Sequence, residues 1–176
     1  MATGYTQSEL DTLLQIMDAA VPPIPSIHDT CKAARVKAMR MAVTDRGALF
    51  NLETVSGTGL YWLNCWVTKE LAGAISYASQ SYGWAKRGMK PEPSGHLKDP
   101  QPADLNSAAD VVSLSSLGDP EGMRVRFAVA DPVKYLTLFF PVRAALEAML
   151  CITEGGMRAA WWDDEFELIP SRKSQH

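Results

Sequence analysis

The sequence predicts an α+β fold: about four helices, two of them largely apolar and central, packed with a small antiparallel sheet containing a hairpin near 111–129. Three observations lead there. Apolar residues recur at helical spacing early in the chain, two long stretches carry only two or three charges each, and two alternating segments flank a proline–glycine turn. With 176 residues, 47% hydrophobic and 21% charged, the chain is long enough to enclose one core and too apolar for global disorder.

In chain order, Thr6 and Glu9 form a capping box, and Leu10, Leu13, Leu14 and Met17 line one face of a first helix that Pro22-Pro23 stops. Ser26 then caps a second helix running to about Val43, with Ile27, Cys31, Ala34, Ala38 and Met41 as its apolar stripe. After Asp45-Arg46-Gly47 the pattern switches to alternation, and Ala48–Val55 reads as a strand. Ser56–Gly59 turns the chain into a long helix over Leu60–Trp84, where Lys69 and Glu70 are the charged residues.

Arg87 to about Ser107 holds Pro91, Pro93, Pro100 and Pro102 without apolar periodicity, and is expected to be a mobile loop. Val111–Leu117 and Met123–Val129 flank Asp119-Pro120-Glu121-Gly122 as a hairpin. Asp131-Pro132 starts a fourth helix reaching Ile152, kinked or divided at Pro141 and closed by Gly155-Gly156. Trp161–Ile169 reads as a last strand or a short helix, with strand preferred, and residues 171–176 as a flexible tail. No repeat is visible at a period of 20–50 residues, so 1–176 is taken as one domain.

The net charge of −3, from 17 basic and 20 acidic side chains, excludes a surface given over to polyanions. Cys31, Cys65 and Cys151 are odd in number and sit in apolar surroundings, which points to reduced thiols. The absence of a long uncharged apolar run, and of a basic-then-apolar pattern at the start, leads us to expect a cytoplasmic protein.

The chemistry-bearing motifs are thin. The strand, Ser56-Gly57-Thr58-Gly59, helix context suits a phosphate, but Trp62 stands where a dinucleotide fingerprint needs a small residue. His28 and Cys31 give two ligands of a metal site and nothing supplies the others, so no metal and no cofactor is expected. Asp163, Asp164, Glu165 and Glu167 are interleaved with Trp161, Trp162 and Phe166, a pattern that docks onto partners or closes a core. Lys32, Arg35, Lys37 and Arg40 spread over the face of the second helix opposite its apolar stripe.

These residues lead to three function classes. The leading one is a non-enzymatic protein interaction module, an adaptor, inhibitor or assembly subunit, that docks another protein or a second copy through Phe139, Phe140, Trp161, Trp162 and Phe166. The alternatives are a nucleic-acid-associated protein using Lys32, Arg35, Lys37 and Arg40 of the basic helix 28–43, and a small hydrolase or transferase with a site scattered along the chain.

Overall fold

A computed structural model describes residues 7, 8, 11, 12, 26–28, 33–92, 94–130 and 133–161. Residues 7, 8, 11 and 12 are helical, and Thr12 donates its hydroxyl to the Ser8 carbonyl at 2.8 Å. The body of the fold is β1 (Ala34–Val43), β2 (Gly47–Thr54), β3 (Gly57–Asn64), α1 (Cys65–Tyr82), a 3-10 turn (Pro102–Ser107), β4 (Ala109–Asp119), β5 (Gly122–Val129), β6 (Lys134–Pro141) and α2 (Val142–Arg158). The strands close into a six-membered barrel in chain order. Each set of three is an antiparallel meander, and the two meanders join by parallel pairing of β3 with β4 and of β6 with β1.

This overturns the expected balance of four helices and a small sheet: strands carry the fold. The strand 48–55 and the hairpin 111–129 correspond to β2 and to β4 with β5. Among the described residues the second helix is not found: residues 34–43 of that segment are β1. Its apolar residues satisfy both periods, because a bulge at Lys37, between Val36 and Ala38, shifts the alternation by one and buries Ala38 and Met39 together. The two long apolar helices are each a strand running directly into a helix. Asn64 ends β3 and caps α1, its Oδ1 accepting from the Val67 amide at 3.0 Å, and Pro141 ends β6 at the start of α2. With no polar loop at either junction, strand and helix merge into one apolar run. Gly155 and Gly156 do not close α2; both are buried inside it. The expected last strand, beyond Trp161, lies outside the described residues.

The chain is an internal duplication, β-β-β-α twice, with the two copies 75 to 77 residues apart. The bulge recurs between Val111 and Ser113. Gly47 and Gly122 open the middle strands, and a Cβ on either would lie 2.2 or 2.1 Å from the backbone oxygen of Leu63 or Phe140. Each helix ends in a left-handed residue, Gly83 at φ 62° and Ala160 at φ 58°, followed by a buried tryptophan, Trp84 or Trp161. The amides of both tryptophans reach back to the helix, to Ser79 and Gly156. The sequence record of this repeat is faint: Pro25, Asp29, Ala33, Ala34 and Val36 return as Pro100, Asp104, Ala108, Ala109 and Val111. Its period exceeds any solenoid window.

The barrel interior is filled from both halves, by Phe50, Leu52 and Leu63 and by Val125, Phe127 and Phe140. α1 packs chiefly on β4 and α2 on β1, so each helix covers the first strand of the other half, and the helices also touch each other. The twin tryptophans differ in one respect. Trp161 Nε1 donates to the Asp45 carbonyl at 3.1 Å, whereas the buried Trp84 Nε1 has no hydrogen-bond partner among the described residues. Trp161→Phe is therefore expected to cost about 1 kcal/mol more than Trp84→Phe, since only the first removes a made hydrogen bond. Urea midpoints of the two variants check this; equal losses would contradict it.

Residues 94–98 run along β1 and β2. Ser94 accepts from the Met39 amide and from Arg40 Nε, both at 3.0 Å, His96 Nε2 meets Glu53 at 2.7 Å, and Asn51 Nδ2 donates to the Lys98 carbonyl.

Candidate functional site

α1 presents a solvent face of unusual composition. Val67, Leu71, Ile75 and Ala78 face the protein. Opposite them, Trp66 and Tyr77 are 75% and 76% exposed, with Glu70 and Gly73 between, also exposed. At 100° per residue these four lie within a strip about 60° wide, and the two rings stand about 16 Å apart along the axis. A Cβ on Gly73 would meet nothing within 4 Å, so the strip has a shallow gap between its aromatics.

The helix that carries the strip is held firmly. Besides the Asn64 cap, the Thr68 hydroxyl donates to the Leu63 and Asn64 carbonyls at 3.0 and 2.8 Å, tying the first turn to β3. Lys69 Nζ sits 5.7 Å from the Trp66 ring centroid and donates to the Trp161 carbonyl at 2.8 Å. That ammonium lies over the ring of the exposed indole and links it to the residues after α2.

The residues singled out by sequence are scattered. Phe140 and Trp161 are core residues, 1% and 4% exposed, and offer no docking surface. Phe139 is half-buried beneath the Arg35 guanidinium, 5.3 Å from its ring. Trp162 and Phe166 lie outside the described residues, as do Asp163–Glu167, Cys31 and Lys32. Arg35, Lys37 and Arg40 belong to β1, not to a basic helix: Arg35 and Lys37 are exposed, and Arg40 is tied to Ser94 and 3.7 Å from Asp99. Ser56–Gly59 forms the β2–β3 turn and the start of β3, so no helix N-terminus stands there.

Among the described residues no three His, Cys, Asp or Glu side chains converge as a metal site. The Cys151 thiol is pushed up to about 11 by burial, then by the nearby Glu147 and Glu154 carboxylates, and stays protonated at neutral pH. Tyr61, whose ring is tilted 55° to that of Phe127 with centroids 6.0 Å apart, is raised by burial as well. No helix among the described residues is long and apolar enough to cross a membrane.

Sequence reasoning missed Trp66 and Tyr77 because it read the whole 60–84 run as enclosed. The missed signal is the spacing of 66, 70, 73 and 77, which forms a second face opposite 67, 71, 75 and 78 once the helix start is placed at Asn64. No protein-family profile matches this chain, and no curated protein and no solved structure is significantly similar to it.

Proposed function

We propose that this chain is a protein-docking module whose contact surface is the solvent face of α1. The observation that carries the reading is the pair Trp66 and Tyr77, each three-quarters exposed on one strip of a rigidly capped helix. Tryptophan and tyrosine are the residues that most often anchor interfaces, and a fold that buries Trp84, Trp161 and Phe140 completely has no packing reason to leave two large rings in water.

A second copy of the chain fits the strip. If two α1 helices cross antiparallel near residues 71–73, Trp66 of each copy stands opposite Tyr77 of the other, and Gly73 lets the backbones approach. The expected result is a species of twice 19.3 kDa by light scattering at high micromolar concentration. Trp66→Ala and Tyr77→Ala should each weaken association about 30-fold while moving the melting temperature little, since both rings are exposed. A photo-crosslinking residue at 77, used in the native host, distinguishes self-association from a different partner. A monodisperse monomer together with no adduct at 77 would sink the reading.

A further inference from the structure

β1 and β6 pair only at Ala34 with Leu138 and Arg35 with Phe139, after which the two strands part. The parting opens a cleft of about 500 Å³ between β1, the first turn of α2 and residues Met89, Glu92 and 94–96. Val36 and Val142, both 2% exposed, form its floor and Met89 adds apolar wall. Its cations come from two elements, Arg35 and Lys37 from β1 and Arg143 from α2, and His96 and Glu92 of the loop with Glu121 of the β4–β5 turn complete the polar lining. Lys37 is the bulge residue, which the extra backbone unit turns out of the ladder toward the mouth.

The duplication supplies a control. In the other half of the molecule the positions of Arg35, Lys37 and Arg143 are occupied by Asp110, Val112 and Trp66. The fold therefore does not require cations at these places; this copy alone gathers them. The two acids, Glu92 and Glu121, leave the three cations in excess by one. Arg143 meets Glu92 at 3.6 Å with both side chains more than half exposed, an ion pair that an incoming anion displaces at little cost.

We propose that this cleft binds a small organic phosphate monoester, with the phosphoryl group among Arg35, Lys37 and Arg143 and the organic part against Met89 and Val36. Three cations from two elements match a dianion better than a single carboxylate, and the volume suits a small molecule. The site is independent of the α1 face, so either reading stands or falls alone.

The test is an amide NMR titration of the full-length chain at low salt with inorganic phosphate and with phenyl phosphate. Saturable shifts are expected at 35–37, 94–96 and 142–144, with phenyl phosphate binding more tightly than phosphate because it also covers Met89. The double variant K37Q/R143Q changes two exposed side chains and should melt like the parent, yet bind phenyl phosphate at least about tenfold more weakly. Absence of saturation, or shifts unchanged in the variant, overturns the proposal. So does a single-stranded oligonucleotide that saturates the same amides when phenyl phosphate does not, which would assign the cations to a nucleic-acid backbone instead.

Discussion

Gly122→Ala is expected to destabilise the protein by roughly 3–4 kcal/mol, one of the largest effects available to a single methyl group here. Gly122 opens β5 opposite Pro141, with φ at 157°, and an added Cβ would lie 2.1 Å from the Phe140 carbonyl oxygen and 3.1 Å from its carbon. The obstacle is backbone in the neighbouring strand, so no rotamer change relieves it. Separation of β5 from β6 at this point also disturbs the start of α2, whose Val142 amide donates to the Glu121 carbonyl at 3.3 Å. For a domain of this size the loss corresponds to a drop of about 6–16 °C in melting temperature. Gly57→Ala is the control: φ there is 126°, but nothing lies within 4 Å of the new methyl, so only the dihedral strain is felt. If both substitutions cost the same, the steric account of Gly122 is wrong.

Gly155→Ala is expected to cost about 2 kcal/mol in spite of the better helix propensity of alanine, and Val43→Gly is expected to abolish that cost. A Cβ at 155 would sit 2.4 Å from the Val43 Cβ, a stiff β-branched side chain with no room to swing aside. The twin contact in the other half shows the remedy. There the strand carries Gly118 and the helix carries Ala78, and a Cβ on Gly118 would lie 2.7 Å from the Ala78 Cβ. At both contacts strand and helix approach so closely that one side must be glycine, and the halves have chosen opposite sides. V43G/G155A recreates the Gly118–Ala78 arrangement. Chemical denaturation of the two single variants and the double variant should give a coupling free energy of about 2 kcal/mol, with the double variant no less stable than V43G alone. Simple additivity would show that the two contacts are not equivalent.

The hairpin 111–129 was readable because its signals are local: Pro120 and Gly122 in the turn, and buried Val125, Phe127 and Val129 alternating with the partly exposed Arg124 and Arg126. The strand 48–55 was readable for the same reason. β1, β3 and β6 were not. Leu60 to Asn64 and Tyr135 to Phe140 are short apolar runs that join a helix without a polar break, and a short apolar run fits a period of 2 or of 3.6 equally well. Assigning Lys32, Arg35, Lys37 and Arg40 to one helical face followed directly from that ambiguity.

The amino-acid sequence by itself determined the local features of this protein: the Asp119–Gly122 turn, the Pro141 boundary, the alternation of β2 and β5, and a helical pattern over 65–82 and most of 142–158. Only the tertiary structure decided how these are used. Barrel closure needs parallel pairing between β3 and β4 and between β6 and β1, contacts between residues far apart in the chain that no local pattern encodes. Exposure of Trp66 and Tyr77 follows from which side of α1 meets β4, and burial of Trp84 and Trp161 from the left-handed residue that turns the chain back at the end of each helix. Four aromatic residues of similar apolarity thus divide into core and surface, because hydrophobicity sets the gain from burial while topology sets which positions there is room to bury.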